Sequence, residues 1–358
     1  MKILIDIGHP GHVHYFRNLI RNLQKGNNEI IVTARERDVV FSLLEFYKIK
    51  YFNRGKGNNS VIGKLSYMFF ADWKLLMLSI KQKPDLFLSF SSPYAAQVAK
   101  IMGKPHIAIN DTEHTDKTHA KFTYPFSSKI LTPKSYQNDL GSKQIRFNNV
   151  VEGLYLHTNY YKPNPAVLND IGVKKDEKFV LLRFVSWHAH HDYGQSGLDI
   201  NAIRILIELL ENKYKVFISS ELPLSEEFQK YKLQISPEQM HDVLYYASLF
   251  IGESGTMASE SAFLGTPCVY INSLPLMCYL KLEQEAGILK HFPSSLGVVE
   301  YVEQIIQDDE LKEKAIKNAT KMKERFIDPT AFLTWFIEKY PESSKIMKEN
   351  PDYQFNFK

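Results

Sequence analysis

One stretch near residue 260 constrains the fold of this chain more than any other. The apolar run at 249–251 leads into a turn rich in Gly and Ser, then into a helix-forming segment, and a second apolar run follows at 268–271. Two short apolar runs joined by a capped helical segment are typical of parallel strands connected by a crossover helix. The stretch therefore predicts an α/β architecture.

The turn in this stretch has the residue types of a ligand site. Gly252 and Gly255 let the backbone bend and approach a ligand, and Ser254 and Thr256 can cap the helix that follows. The free N–H groups and the dipole of a helix start attract anions. Glu260 lies about one turn further on, where its carboxylate can accept two hydrogen bonds from a ribose diol. These features predict a nucleotide-sugar site, although an ordinary capped crossover helix explains the same residue types.

The same alternation of apolar runs and helical segments recurs along the whole chain. Strands are predicted at 2–7, 29–33, 50–52, 84–90, 104–109, 128–133, 179–185 and 214–219, in addition to the two above. The prolines and polar residues at 160–165 interrupt the alternation and predict a hinge. A length of 358 residues also favours two domains. A loosely held polar tail is predicted from Pro341 onward.

Charge and cysteine content exclude several classes of protein. The chain has 44 basic and 40 acidic residues, a balance that gives no nucleic-acid-binding footprint. Cys268 and Cys278 have no paired Cys or His spacing, so neither a disulfide framework nor a zinc site is predicted. The first residues run directly into a strand without the pattern of a signal peptide. A cytoplasmic protein is the expectation.

The first turn of the chain contains glycine and clustered histidine. Gly8 and Gly11 flank it, and His9, His12 and His14 lie within it. A metal site is the less favoured interpretation because no cysteine supports the cluster. We expect instead that one histidine, with His12 the candidate, faces a substrate as a base or as a hydrogen-bond donor.

The segment 61–83 is apolar at helical spacing but is interrupted by Lys64, Asp72 and Lys74. Those charges argue against a membrane span. An amphipathic helix that covers a sheet is the favoured interpretation. A helix lying in a membrane interface is the alternative, and it would place the protein at the inner face of the cell membrane.

The central stretch resembles the donor-binding motif of the GT-B superfamily, which includes the UDP-GlcNAc 2-epimerases and the N-acetylglucosaminyltransferase of peptidoglycan synthesis. Thr256 and Ser259 depart from the epimerase pattern, where Gly and Glu stand. The segment Gly11-His12-Val13 also resembles the first loop of the peptidoglycan enzyme. The positions of the central stretch that match the epimerase pattern are Ser254, Gly255, Glu260, Leu264, Gly265 and Pro267.

The chain as a whole resembles one uncharacterised bacterial and archaeal family within this superfamily, most clearly around Arg183-Phe-Val-Ser-Trp. The resemblance implies a GT-B fold with two Rossmann-like domains whose parallel sheets face each other across a cleft. Residues 1–160 would form the acceptor domain and 161–330 the donor domain. Helices at 331–358 would return to complete the first domain.

The resemblance also implies a function, namely a metal-independent glycosyltransferase of surface polysaccharide or glycoconjugate assembly. Such an enzyme would need no cofactor. Its donor would be a nucleotide sugar, with UDP the favoured nucleotide, and its acceptor would be lipid-linked if the protein acts at a membrane surface. Arg183 could neutralise the diphosphate, and His191 and Glu253 would contact the donor. His12, Glu113 and His188 are the catalytic candidates.

Two other functions remain open. An epimerase or hydrolase needs well-placed acid and base groups, and Ser91-Ser92 stands where epimerases carry an Asp, which counts against that activity. A non-catalytic protein that binds sugar nucleotides or polysaccharide is the third possibility.

Overall fold

The computed structural model describes residues 1–37, 39–57, 61–174, 176–185 and 198–358. His188 and His191 therefore lie outside the described residues. The contacts divide the chain into two compact units. Unit 1 comprises Met1–Tyr160 and Phe326–Lys358, and unit 2 comprises Tyr161–Arg325.

Unit 1 contains a parallel sheet of seven strands within the described part of the chain. Its strand order is β3-β2-β1-β4-β5-β6-β7, so the order reverses direction between β1 and β4. The central strands β1, β4 and β5 are buried almost along their whole length, which is expected of a sheet covered by helices on both sides. The strands are β1 (Lys2–Ile7), β2 (Glu29–Glu36), β3 (Phe52–Lys56), β4 (Leu86–Ser89), β5 (His106–Ile109), β6 (Lys129–Pro133) and β7 (Gln144–Phe147).

Helices from both ends of the chain cover this sheet. They are α1 (Pro10–Lys25), α2 (Val40–Phe46), α3 (Val61–Gln82), α4 (Pro93–Ile101), α5 (Asp116–Phe122), α6 (Gly153–Leu156), and later α14 (Pro329–Glu338) and α15 (Glu342–Glu349). The prediction of a loosely held tail is wrong. Met347 of α15 is buried, and the side chain of Gln354 accepts a 2.7 Å hydrogen bond from the backbone N–H of Asn148. Asparagine at 149 also donates to the carbonyl of Ile327, which fixes the returning segment.

Unit 2 contains a second parallel sheet, with five described strands in the order β12-β11-β10-β8-β9. Its reversal lies between β8 and β10. The strands are β8 (Phe179–Phe184), β9 (Lys215–Ser220), β10 (Leu249–Gly252), β11 (Cys268–Ile271) and β12 (Leu289–Phe292). The helices are α7 (Ala166–Asp170), α8 (Ile200–Glu211), α9 (Met240–Tyr246), α10 (Gly255–Leu264), α11 (Cys278–Glu285), α12 (Val298–Ile305) and α13 (Leu311–Lys323).

Two parallel-sheet α/β domains confirm the predicted fold class, GT-B. In such sheets, ligands bind at the carboxyl ends of the strands where the strand order reverses. By this rule, ligand sites are expected at the carboxyl ends of β1 and β4 in unit 1 and of β8 and β10 in unit 2. Among the described helices, none combines the length and the apolar character that a membrane span requires.

Candidate functional site

The reversal in unit 2 brings the central stretch of the sequence to the carboxyl end of β10. Gly252 ends this strand opposite Arg183 of β8. A Cβ atom on Gly252 would lie 2.8 Å from the Cβ of Arg183 and 2.9 Å from its carbonyl oxygen, so a larger residue would push the two strands apart. Glycine is therefore required here for close packing of the strands.

Helix α10 begins immediately after this strand end. The Oγ of Ser254 caps it by accepting from the N–H of Met257 at 3.4 Å, and Thr256 lies in the first turn. A Cβ on Gly255 would lie 3.3 and 3.4 Å from the hydroxyl oxygens of Tyr270 and Tyr279. The start of α10 thus combines a bare backbone with two tyrosine hydroxyls, a set of donors suited to an anion.

Glu253 binds two backbone N–H groups of its own unit. Its carboxylate accepts from the N–H of Val185 at 2.9 Å and from the N–H of Leu198 at 2.8 Å. These two residues flank the segment that contains His188 and His191. Glu253 therefore holds the residue that follows β8 and the residues that lead into α8.

Arg183 points across the sheet toward β9. It donates to the Oγ of Ser219 at 2.8 Å and to Glu221 at 2.9 Å, while its Nε is buried without a hydrogen-bond partner in the described part of the chain. Because Glu221 pairs with Arg183, it offsets part of the positive charge that Arg183 would offer to a diphosphate.

Glu260 is 5% exposed, and its Oε1 lies 3.0 Å from the Nε2 of His241 on α9. His241 itself is buried. No sequence pattern indicates this partner, because a histidine within a short amphipathic helix is a common core residue. On α10, next to Glu260, the hydroxyl of Ser259 donates to the carboxylate of the fully buried Glu283 at 2.7 Å.

Unit 1 has a cavity of about 310 Å³ at the carboxyl ends of its strands. We call it the arginine cavity because three arginines line it. Its lining residues are Asp6, Gly8, His9, His12, Arg35, Arg37, Arg54, Phe90, Ser91, Ser92, Pro93, Tyr94, Asn110, Thr112, Thr115 and His119. Gly8 and His12, two predicted site residues, are among them, whereas the arginines carried no recognisable motif in the sequence.

The floor of the arginine cavity is a buried ion pair. Asp6 is fully buried and accepts from the Nε of Arg54 at 2.9 Å, from Thr33 at 2.8 Å and from Ser92 at 2.5 Å. Arg54 is also buried and donates through Nη1 to Tyr67 of α3 at 3.0 Å. These contacts engage the Nε and Nη1 of Arg54 and fix its guanidinium in place.

The three clustered histidines have different environments. The Nδ1 of His12 accepts from the N–H of Gly8 at 3.3 Å, so the proton of the neutral ring lies on Nε2. Burial, assisted by His9 and two arginines, holds the pKa of His12 well below its usual range. His9 caps α1 by accepting from the N–H of Gly11 at 3.2 Å. His14 is buried against Arg17 and does not line the cavity.

The turn after β4 has an unusual backbone. Ser91 has φ of +49°, which is the left-handed region that non-glycine residues rarely occupy. Its hydroxyl donates to the carbonyl of Ile109 at 3.0 Å. Ser92, next to it, caps α4 and also bonds to Asp6. Strained backbone of this kind concentrates at ligand sites, and both serines line the arginine cavity.

Glu113 does not line this cavity. It begins a short 3₁₀ turn after β5, and its Oε1 accepts from the N–H of Gln137 at 2.7 Å. The buried Asp111 lies two residues earlier and accepts from the hydroxyl of Thr112, a lining residue, at 2.6 Å. Burial raises the pKa of Asp111 to about 6. Sequence reasoning missed this carboxyl because nothing in the pattern predicts its burial.

Metal binding finds no support in these surroundings. Within the described ranges, no group of three or more His, Cys, Asp or Glu side chains is arranged to hold a metal ion.

Comparison with known proteins places the chain in a family. It belongs to the family described as "Protein of unknown function (DUF354)", which matches residues 1–327. It is also similar to an uncharacterised protein of the archaeon Methanocaldococcus jannaschii, with 26% identity over 314 residues that cover 85% of this chain and 91% of that protein. The expected membership of an uncharacterised family is thereby confirmed.

Solved structures share the fold. UDP-GlcNAc 2-epimerase from Neisseria meningitidis bound to UDP-GlcNAc has a TM-score of 0.63 at 16% identity, over 93% of this chain and 100% of that one. S. aureus MnaA in a co-structure with UDP has a TM-score of 0.68 at 14% identity, over 96% and 97%. The glycosyltransferase SsfS6 of Streptomyces sp. SF2575 has a TM-score of 0.62 at 15% identity, over 95% and 100%. At these identities the similarity shows the GT-B fold alone.

Proposed function

We propose that the protein is a metal-independent glycosyltransferase that takes a nucleotide sugar, with UDP the favoured nucleotide, for surface polysaccharide or glycoconjugate assembly. The observation that carries this proposal is the start of α10. It combines a reversal in strand order, a bare glycine backbone and two tyrosine hydroxyls at one strand end. Neighbours of the same fold were solved with UDP, with UDP-GlcNAc and with thymidine diphosphate.

In this proposal, the first-turn N–H groups of α10 stabilise the negative charge that develops on the leaving diphosphate. Backbone donors that are already oriented need no reorganisation during the reaction, which is why such sites lower barriers effectively. Arg183 adds positive potential at the same sheet edge, and Glu260 receives the ribose. In this proposal His188 serves catalysis and His191 contacts the donor, while Glu253 binds the backbone N–H groups of Val185 and Leu198.

His12 acts in the acceptor unit as a neutral hydrogen-bond donor. The N–H of Gly8 occupies Nδ1, so Nε2–H is available to a substrate oxygen. A lowered pKa keeps the ring uncharged at neutral pH, which suits a donor and does not suit a base that must accept a proton at Nε2. The base is then drawn from Glu113 and Asp111, and a pH–rate profile of Glu113→Gln and Asp111→Asn distinguishes them.

The direct test of donor binding is calorimetric titration with UDP, GDP, CDP and TDP compounds. We expect one nucleotide to bind and Gly255→Ala to weaken it by about tenfold or more, since a methyl group would occupy the space next to the first N–H groups of α10. Gly8→Ala is the matched control, because a Cβ there meets only Arg54 at an ordinary 3.8 Å. If no nucleotide binds, or if both variants bind equally well, the donor assignment is wrong.

A lipid-linked acceptor at a membrane surface is the second part of the proposal. The face of α3 that points to solvent carries Phe69, Phe70, Trp73, Met77 and Ile80 at helical spacing, with Phe69 and Trp73 exposed by 67% and 58%. The opposite face packs Tyr67, Ala71 and Leu75 into the unit. Helices with aromatic residues on one exposed face and lysines beside them bind lipid interfaces.

Cosedimentation with vesicles containing phosphatidylglycerol tests this part. Trp73→Ser should reduce binding severalfold, because it removes a large aromatic group from the lipid-facing stripe. Phe46→Ser is the matched control, since Phe46 is an exposed aromatic residue of α2 in the same unit. Equal binding of both variants, or no binding by the native protein, would exclude the lipid-surface assignment while leaving donor binding intact.

A further inference from the structure

The described residues that line the arginine cavity include more basic than acidic side chains. Arg35 and Arg37 come from the end of β2, and Arg54 comes from β3. Among the described residues that line the cavity, Asp6 is the one carboxylate, and it is fully buried beneath Arg54. Beyond the ion pair between Asp6 and Arg54, Arg35 adds a second guanidinium group to the cavity lining.

Arg54 is oriented before any ligand arrives. Asp6 binds its Nε, Tyr67 binds its Nη1, and its guanidinium lies 4.5 Å from the centre of the Tyr94 ring. The third nitrogen, Nη2, lies on the side of Gly8, where a Cβ would be 3.8 Å away. A fixed planar guanidinium loses little entropy when it binds an oxyanion, so this arrangement favours anion binding.

Arg35 gives the second observation. Its Nε is buried and has no hydrogen-bond partner within the described residues, and its guanidinium lies 5.4 Å from the centre of the Tyr67 ring. A buried cationic donor without an acceptor costs free energy, and an anion supplied from outside would offset that cost. The ring of Tyr67 thus lies within cation–π distance of both Arg35 and Arg54.

We propose that the arginine cavity binds an anionic group, a phosphate or a carboxylate, carried by the acceptor of the glycosyl transfer. This rests on the proposed function, because it names the chemical class of the second substrate. The volume of about 310 Å³ is at the small end of small-molecule sites, which suits one charged sugar or one phosphate with its attached residue. A neutral sugar would leave Arg35 without a partner.

Two sources could supply this group. A phosphate joins the sugar to the lipid in a lipid-linked acceptor, and α3 presents its apolar stripe on the face opposite Tyr67. A carboxylate would come from an acidic sugar. The shared chemistry is a planar or tetrahedral oxyanion recognised by guanidinium groups.

The experiment is calorimetric titration of the full chain with glucose 1-phosphate, glucuronate, inorganic sulfate and neutral glucose, each with and without saturating UDP. We expect the anions to bind and glucose not to bind. Preference for glucose 1-phosphate indicates a phosphate-bearing acceptor, and preference for glucuronate indicates an acidic sugar. Arg35→Gln should weaken the better anion by about tenfold or more, the effect of losing a charge-assisted hydrogen bond.

Arg204→Gln is the matched control, because Arg204 is an exposed arginine of unit 2 that pairs with Glu227. Absence of binding by every anion, or binding that Arg35→Gln leaves unchanged, would overturn the proposal. Competition by UDP would also overturn it, since the anion would then occupy the donor site. A protein that binds UDP but no other anion retains the proposed function and loses this inference, so the two failures are distinguishable.

Discussion

The carboxyl edges of the two sheets differ in how charge is distributed. In unit 2, Glu253 accepts from the backbone N–H groups of Val185 and Leu198. Glu260 contacts His241, and Glu221 accepts from Arg183. In unit 1, Asp6 neutralises Arg54, while Arg35 has a buried nitrogen without a partner in the described chain. The described acids at this edge of unit 2 thus have partners within their own unit, whereas the cavity of unit 1 is lined by more basic than acidic side chains.

This difference suggests a division of labour. A helix start provides neutral backbone donors, which suit a diphosphate that must leave after transfer. Fixed arginines bind an anion more tightly and in a defined orientation, which suits a group that holds the acceptor in place and takes no part in bond breaking. The predictions below test whether the two edges have these separate roles.

The largest effect is expected for the buried ion pair under the arginine cavity. Arg54→Met leaves the carboxylate of Asp6 buried without its charged partner, which should lower the free energy of unfolding by ~3–5 kcal/mol. The double variant with Asp6→Asn should recover most of this loss. Urea denaturation of the single and double variants measures both values, and a loss of under ~1 kcal/mol in the single variant would contradict the described pairing.

The corresponding carboxylate in unit 2 should affect the ligand more than the fold. Glu260→Gln should weaken nucleotide binding by the ~1.5–3 kcal/mol of a charge-assisted hydrogen bond to ribose. Titration calorimetry measures this, and the preference for a ribonucleoside over its 2′-deoxy analogue should shrink in the variant. His241→Asn is the control, since it breaks the contact with Glu260 and keeps the carboxylate. Lower stability of Glu260→Gln with unchanged nucleotide affinity would mean that Glu260 only supports its helix.

A buried histidine in unit 1 should make stability depend on pH. His106 lies 2.9 Å from the hydroxyls of Ser89 and Ser127, and burial lowers its pKa to about 3. Because the unfolded chain binds the proton more readily, stability is complete above pH 6.5 and falls as the pH drops toward 3, by up to ~1.4 kcal/mol per unit. His106→Gln should flatten this slope in urea melts between pH 6.5 and 4. Parallel slopes would contradict the assignment.

The smallest effect concerns a carboxyl on the buried side of α3. Burial raises the pKa of Asp72 to about 6, and Arg54 and Asp6 are within electrostatic range of it. Above pH 6 the ionised carboxylate opposes anion binding nearby, so Asp72→Asn should raise sulfate affinity about two- to threefold at pH 7.5 and have little effect at pH 5. Sulfate titrations at both pH values measure this. A gain of equal size at both would exclude Asp72 as the cause.

Sequence predicted the parallel α/β units well because their elements are local. Most strands are apolar runs bounded by turn residues, and the α10 motif lies within one contiguous stretch. Strands β7 and β12 lack an apolar run, so the sequence does not predict them. Their buried hydrophobic residues are Ile145 and Phe147 in β7 and Leu289 in β12. The tail was misjudged because its contacts, such as Gln354 to Asn148, join residues 206 positions apart.

The arginine cavity could not be predicted for a similar reason. Its residues come from the ends of β1 to β5 and from the turns and helices that follow these strands. The arginines at the ends of β2 and β3 form no recognisable sequence motif with His12. Glu113 was chosen from a resemblance, yet its side chain bonds to Gln137 instead of lining the cavity. Spatial convergence of distant residues is what a single sequence does not reveal, whereas a βα turn is written in consecutive residues.

Hydrogen–deuterium exchange with and without UDP tests most directly whether the diphosphate binds at the start of α10. We expect UDP to protect the amides of residues 252–258, and glucose 1-phosphate or glucuronate to protect those of 8–14 and 35–37 without changing 252–258. Protection by UDP confined to 8–14 and 35–37, with residues 252–258 unchanged, would contradict the assignment of the donor site to unit 2.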